Sequence, residues 1–172
     1  VDKSVLHSKA YYVLTADIDC QSQPIKAIGG STNPFGGTFD GQNHIISYAK
    51  FERTGDYIGL FGNVQLGTLK NLGIKNFLMT GGDTAKYCGA VVGKFISENV
   101  IENVFAKGTI DLSFKFGTNV VAGVYVGGFV GDMLGSAENC YFEGSIFAST
   151  KYSGLNTIIR TGGFAGSIYG IN

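Results

Sequence analysis

The stretch Tyr57 to Leu72 reads YIGLFGNVQLGTLKNL, and the chain repeats its frame. Copies begin at Cys88 (CGAVVGKFISENVIENV) and Val126 (VGGFVGDMLGSAENC), and a fourth begins at Thr161 (TGGFAGSIYGI). The second glycine of each copy gives spacings of 31, 38 and 35 residues, at Gly62, Gly93, Gly131 and Gly166. A repeat of this length predicts a stacked or solenoidal architecture.

The composition suits one globular β domain spanning residues 1–172. The chain has 27 glycines but only two prolines, and charged residues make up 15% of it, which argues against disorder. Lys plus Arg and Asp plus Glu balance at 13 each, so no overall field favours nucleic acid or an anionic membrane. The three cysteines are widely separated, which is unlike a zinc site or a disulfide framework. We therefore expect no metal and no cofactor.

Each copy divides into three short strands and three turns, without a helical period. In the first strand, small residues precede a column of bulky ones, which predicts side chains stacked inside a coil. The bulky column is Leu60, Val91, Phe129 and Phe164. This pattern predicts an all-β fold, a parallel β-helix with about three strands per coil and roughly four to five coils. A propeller would need a longer unit with four strands per blade.

The second strand of each copy ends at an asparagine, at Asn71, Asn103 and Asn139. Asparagine tolerates a left-handed backbone and can pass an amide hydrogen bond to an asparagine above it, so we predict a structural ladder. A role as metal or sugar ligands is the less favoured alternative. An ungapped alignment of the copies around and after this asparagine then predicts which neighbouring side chains point into the coil and which point to solvent. It directs Leu69, Ile101, Ala137, Leu78, Ile110 and Ile146 inward, and Lys70, Glu102, Glu138, Lys75, Lys107 and Glu143 outward.

These boundaries divide the domain into a polar lead-in and successive coils. The lead-in is residues 1–10, and residues 11–56 form a first coil with an FDG turn at Phe39 to Gly41. Full repeats follow at 57–86, 87–124 and 125–160, and a truncated repeat occupies 161–172. The truncation predicts a fragment of a longer chain.

Several segments together resemble the GLUG-motif family. They are YYVLTADID at 11–19, PIKAIGG at 24–30, FGGTFDGQNHIIS at 35–47 and YIGLFGNV at 57–64, followed by GTLKNLGI at 67–74. The resemblance implies a right-handed parallel β-helix used as a non-catalytic module of bacterial surface proteins. Such repeats also occur near IgA-cleaving metallopeptidases, but the chain has no His-Glu-x-x-His motif. No catalytic residues come with the motif.

The candidate catalytic residues are few. Asp17, Asp19 and Asp40 could form the acidic cluster of a polysaccharide-active enzyme, but Asp40 is already explained by its Asp-Gly turn. His44 follows that turn, and no third residue completes a triad with it. The structural interpretation is favoured, and we expect no enzyme activity.

The variable loops carry the candidate binding residues. Exposed aromatic rings among hydrogen-bonding groups suit contact with carbohydrate or protein, unless the rings fold back over the coil wall. The candidates are Lys115, Phe116, Tyr152, Asn156 and Arg160.

The sequence thus favours a non-catalytic structural or interaction module of a larger extracellular or cell-surface protein, which would space, display or adhere. Its partners would be a protein or carbohydrate surface, together with a neighbouring domain or subunit that covers the open end near Asn172, because uncovered strand edges aggregate. The alternative is a lyase or hydrolase of the pectin-lyase type. That alternative requires carboxylates such as Asp83 and Asp132 to converge with the other three in an open groove.

Overall fold

A computed structural model describes residues 10–53, 55–115, 122–150 and 157–169. Within these ranges the chain forms strands and no helix. The early strands are β1 (Tyr11–Val13), β2 (Ile18–Asp19), β3 (Pro24–Lys26), β4 (Thr38–Asp40), β5 (Ile45–Ser47), β6 (Lys50–Glu52), β7 (Tyr57–Ile58) and β8 (Phe61–Gln65). The later strands are β9 (Thr68–Asp83), β10 (Tyr87–Gly89), β11 (Val92–Phe114), β12 (Ala122–Gly127), β13 (Val130–Glu138), β14 (Tyr141–Thr150), β15 (Thr157–Gly162) and β16 (Ala165–Tyr169).

Every ladder among these strands is parallel, and each strand pairs with its equivalent one coil away. The long strands β9 and β11 bend around the corners of the coil and belong to a 12-stranded sheet, while β7, β10, β12 and β15 form a second sheet. The strands stack coil upon coil as a solenoid. The predicted parallel β-helix is confirmed.

The predicted column of bulky residues lies inside the coils. The Val91 amide donates to the Phe129 carbonyl at 3.0 Å, and the Phe129 amide donates to the Phe164 carbonyl at 2.8 Å. The rings of Phe129 and Phe164 stack with centroids 4.7 Å apart. Leu60, Val91 and Phe129 are buried. Like side chains therefore lie over like in the core, which is the arrangement that the repeat predicts.

The repeated glycines stand at a corner where backbones touch. A Cβ added to Gly93 would lie 2.7 Å from the Gly62 carbonyl oxygen and 2.8 Å from that of Tyr87. A Cβ on Gly131 would lie 2.4 Å from the Gly93 oxygen, and one on Gly166 would lie 2.8 Å from the Gly131 oxygen. Each glycine thus packs on the glycine of the coil below, which accounts for its recurrence in every copy.

The segment 11–56 contains two coils rather than the one expected. Strands β1, β2 and β3 pair with β4, β5 and β6 respectively, so residues 11–26 lie one full coil below residues 38–52. The lower coil has strands of only two or three residues and lacks the glycine frame of the later copies. These differences hid it from the repeat alignment.

The predicted inward and outward directions of the side chains are correct on the second strand of each copy and wrong at one position on the third. Leu69 and Ile101 are buried, whereas Glu102 and Glu138 are exposed. Leu78, however, is 41% exposed, and the buried partner of Ile110 is Met79.

The cause of this shift is a β-bulge. The ladder between β9 and β11 changes register between Lys107 and Gly108, opposite Asn76, which has a left-handed backbone with φ of 54°. One extra residue in a bulge moves the residues after it to the opposite face. Tyr48, in the coil below, has the same φ of 54° between Ser47 and Lys50, which pair with Lys75 and Leu78.

Candidate functional site

The three predicted asparagines form one hydrogen-bonded column on the outside of the solenoid. Asn139 Nδ2 donates to Asn103 Oδ1 at 3.1 Å, and Asn103 Nδ2 donates to Asn71 Oδ1 at 3.2 Å. All three have a left-handed backbone, with φ between 52° and 54°; Asn71 and Asn103 lie within β9 and β11, and Asn139 lies between β13 and β14. Asparagine is favoured there because it accepts this conformation and its amide is both donor and acceptor.

The column ends at Asp40, whose favoured explanation from the sequence is the Asp-Gly turn and whose alternative is an acidic catalytic cluster. Asn71 Nδ2 donates to Asp40 Oδ1 at 3.0 Å, and the Gln42 amide donates to the same oxygen at 2.9 Å. The Tyr11 hydroxyl donates to Asp40 Oδ2 at 2.7 Å, and Lys70 Nζ lies 3.5 Å from it. The spacing of 31 residues between Asp40 and Asn71, one repeat length, is the signal that could have predicted this contact.

These contacts keep Asp40 ionised. Its burial acts to raise the pKa, but the hydrogen bonds from Tyr11, Gln42 and Asn71 and the charge of Lys70 outweigh that effect. The pKa of Asp40 is lowered to about 2. The carboxylate is therefore a fixed anion that accepts hydrogen bonds at the foot of the column.

An aromatic stack lies beside the asparagine column. The rings of Phe105 and Tyr141 are 5.3 Å apart at the centroids and nearly parallel, and the Phe105 ring lies against Gly73. Lys75 Nζ is 5.6 Å from the centre of the Phe105 ring, and Lys107 Nζ is 5.5 Å from that of Tyr141, which are cation–π contacts. Between column and stack runs a shallow depression, here called the asparagine groove. It is lined by Asn71, Asn103, Asn139, Gly73, Phe105 and Tyr141.

A second aromatic column includes Arg160, one of the predicted binding residues, at its end. Tyr57, Tyr87 and Tyr125 are in register on β7, β10 and β12, and their rings stack at 5.6 and 5.7 Å. Arg160 follows in register on β15, with its guanidinium carbon 5.3 Å from the Tyr125 ring centre. Arg160 thus continues a structural column and belongs to a strand, not to a loop.

Next to this column lies an ion pair between a half-buried lysine and a buried aspartate, which the sequence analysis missed. Lys94 Nζ is 3.4 Å from Asp132 Oδ2 and 4.6 Å from the centre of the Tyr87 ring. Burial acts to lower the pKa of Lys94, but Tyr87 and Asp132 outweigh it and raise that pKa. Asp132 Oδ1 and Asn63 Oδ1 are buried with no hydrogen-bond partner among the described residues. Lys94 and Asp132 each follow a column glycine, which is the signal that could have paired them.

The structure separates the predicted loop residues. Lys115 follows β11, where its amide donates to the Asp83 carbonyl at 2.8 Å and its Nζ lies 3.4 Å from Asp83 Oδ1. Arg160 lies in the other sheet. Phe116, Tyr152 and Asn156 lie outside the described residues, so their prediction stays untested.

The carboxylates considered for catalysis have separate partners. Asp17 Oδ1 accepts hydrogen bonds from the Ile45 amide at 3.0 Å and lies 3.0 Å from His44 Nδ1; both contacts lower the pKa of Asp17. Asp40, Asp83 and Asp132 contact Lys70, Lys115 and Lys94 respectively. In the described ranges, no group of three His, Cys, Asp or Glu side chains could hold a metal ion.

The ion pairs share one property. Each of the six found among the described residues joins two neighbouring coils. The pairs are Asp17–His44, Asp40–Lys70, Asp56–Lys86, Asp83–Lys115, Lys94–Asp132 and Lys107–Glu143. In the five lysine–carboxylate pairs, the opposite charges tie one coil to the next.

Comparison with known proteins identifies one curated relative. The chain is 32% identical over 138 residues to halomucin of Haloquadratum walsbyi, and this match covers 72% of the chain but 1% of halomucin. No family model matches the chain, and no solved structure matches it. In the part of the chain that the structure describes, there is no helix long and apolar enough to cross a membrane.

Proposed function

We propose that this chain is a non-catalytic structural and interaction module of a larger extracellular or cell-surface protein, of the GLUG-motif type that its sequence resembles. The observation that supports the proposal most strongly is the pairing of charged side chains between neighbouring coils. Lysines and carboxylates, which a polysaccharide lyase or hydrolase would gather in a cleft, are instead paired between successive coils. A solenoid whose coils are joined by such ion pairs is suited to spacing or displaying other parts of a surface protein.

The similarity to halomucin supports the proposed location outside the cell or on its surface. The name halomucin is that of a mucin-type surface protein, which favours an extracellular or cell-surface location for this chain. The match occupies 1% of halomucin, so the similar segment there is one small part of a very long chain. A module within a longer surface protein is consistent with that proportion.

The ends of the described solenoid support an interaction role. Strand β14 pairs with β11 along one edge, and its other edge carries no strand within the described residues. Open parallel edges invite pairing with another chain or domain. The proposal therefore includes a neighbouring domain or subunit that covers this end, with no cofactor, no metal and no enzyme activity.

Two measurements test the proposal, one on the protein in its own cells and one on the purified chain. Antibody labelling and protease treatment of intact cells should find the module outside the membrane, and protection until lysis would contradict it. In parallel, the purified chain is incubated with a panel of soluble polysaccharides, and new reducing ends and unsaturated uronates are measured. The proposal expects none above a buffer control. Product release that Asp132→Asn abolishes would instead establish the enzyme alternative.

A further inference from the structure

The asparagine groove presents similar groups at successive levels of the solenoid. On one side Asn71, Asn103 and Asn139 follow each other coil by coil, and on the other side Phe105 and Tyr141 do so. Parallel strands in neighbouring coils are about 4.8 Å apart. A surface that repeats at such an interval along one axis suits a ligand that itself repeats along its length.

The chemistry of the groove suits hydroxyl groups. An asparagine side chain has two N–H donors and an oxygen with two lone pairs, and the ladder uses one donor and one lone pair per step. Within the described ranges, the Asn103 amide has one further side-chain acceptor, Glu102 Oε1, at 3.5 Å, which is the outer limit for a hydrogen bond. Asn103 and Asn139 are both exposed. Their amides can donate to and accept from a ligand without breaking the column.

The aromatic side supplies the apolar half of such a site. Tyr141 is 45% exposed, although its ring stacks on Phe105 and lies near the Lys107 ammonium. A rigid ring that has a polar hydroxyl and little rotamer entropy to lose is favourable at binding surfaces. Amides facing an exposed ring match a sugar, which has hydroxyl edges and C–H faces.

The charges around the groove select against an anionic ligand. Glu102 and Glu138 precede two of the asparagines and are exposed, whereas Glu143 is paired with Lys107, and Lys75 lies over the Phe105 ring. The two exposed glutamates beside the asparagines would repel the phosphates of a nucleic acid or the uronates of an acidic glycan, and the opposing attraction of Lys75 is tested below by its removal.

We propose that the asparagine groove binds a linear, uncharged polysaccharide whose chain runs along the solenoid axis. This inference rests on the proposed role as an interaction module and names the class of partner and its place. It moves the binding surface from the variable loops to a turn that every later coil repeats.

The test uses affinity electrophoresis and calorimetry with soluble β-glucan, mannan and dextran, and with polygalacturonate and heparin as anionic controls. At least one uncharged polymer should bind. Tyr141→Ala should then weaken binding about tenfold, equivalent to about 1.4 kcal/mol, whereas Tyr141→Phe, which keeps the ring, should stay within about threefold of wild type. The matched control is Phe147→Ala, since Phe147 lies on the same strand and is 61% exposed, away from the groove. Thermal unfolding of each variant shows that it folds.

Lys75→Gln distinguishes the classes of ligand, with Lys26→Gln as its exposed control. For an uncharged polymer the change at Lys75 should alter affinity less than about threefold, because the ligand brings no charge to pair. Preferred binding of the polyanions, a large loss with Lys75→Gln, an equal loss with Phe147→Ala, or no binding to any uncharged polymer would each overturn the inference. Failure here with the protein still on the cell surface leaves the proposed function standing. Cleavage of a bound polymer would overturn the proposed function instead.

Discussion

At the scale of single residues, Asp40 shows how a turn residue acquires a second role. An Asp-Gly pair needs no partner beyond its own turn, yet Asp40 is also the acceptor at the foot of the asparagine column. Its hydrogen bonds from Tyr11 and Asn71 come from the coils below and above. One carboxylate therefore links three successive coils.

We expect Asp40→Asn to remove an acid-sensitive part of the stability. The folded pKa of Asp40, about 2, lies below the ordinary value, so the ionised carboxylate stabilises the fold above about pH 4. That contribution is lost as the pH falls toward 2. Urea unfolding at pH 7, 4, 3 and 2 should show a steep acid decline in wild type and a flatter one in the variant. The variant should also lose about 1–3 kcal/mol at pH 7.

The control for this change is Asp111→Asn, because Asp111 is exposed on β11. It should leave the pH profile close to that of wild type. An unchanged acid decline in Asp40→Asn would show that other carboxylates dominate it.

The column glycines allow a second residue-scale prediction. Gly93→Ala would bring a methyl group within 2.8 Å of two backbone oxygens, so the corner between the sheets must open. We expect a loss above about 2 kcal/mol in the free energy of unfolding. Gly30→Ala is the matched control because nothing lies within 4 Å of its added Cβ, and it should be neutral or gain a few tenths of a kcal/mol. Similar free energies of unfolding for both variants would contradict the explanation that the glycines recur because the backbones of neighbouring coils touch there.

At the scale of elements, the bulge in β9 decides which residues face the core. Leu78 is the residue that an ungapped alignment directs inward, and Met79 is the residue that the structure buries. Asn76 accounts for the difference because its left-handed backbone lets one extra residue fit between Lys75 and Phe77.

Paired substitutions test this register. Met79→Ala should cost about 2–5 kcal/mol, as expected when a buried side chain leaves a cavity. Leu78→Ala, at a partly exposed position, should cost much less, within about 1 kcal/mol. Chemical denaturation of both variants gives the comparison. The reverse order would mean that the third strand follows the ungapped phase after all.

Much of this fold could be predicted because each coil repeats the same residue types at the same positions. The core column from Leu60 to Phe164 and the three asparagines were readable from spacing alone. The bulge at Asn76 was not, because among the three aligned copies the extra residue occurs only in the first, and the coil below, which shares it at Tyr48, lacks the glycine frame. The asparagine groove was missed for another reason. Phe105 and Tyr141 align with Gly73, so no aromatic motif marks that position in the first copy.

At the scale of the whole molecule, one edge of β14 carries no strand within the described residues, and we expect self-association to occur there. Ile146 on this strand is half-buried and packs on the core through its contact with the coil of Ile110. A second chain that added a coil there would cover it. A charge placed at this inward position should block such an addition, because it would be trapped without a partner.

We therefore expect Ile146→Lys to reduce self-association of the purified chain, measured by light scattering over a concentration series. Phe147→Lys is the control, since its side chain points outward from the same strand and its charge stays in water. If both lysines reduce association equally, net charge is the cause and the end of the solenoid is not the contact. If neither does, association uses another surface.

The pairing of every strand with only its neighbours above and below also sets the response of the protein to force. Pulling the two ends apart along the winding axis loads the hydrogen bonds of the outermost coil first, while the inner ones remain shielded. Rupture then proceeds level by level, and each level releases a slack length of some thirty residues, roughly 100 Å of extended chain. In a long tether, such a segment would dissipate sudden loads gradually and rewind from whatever levels survive.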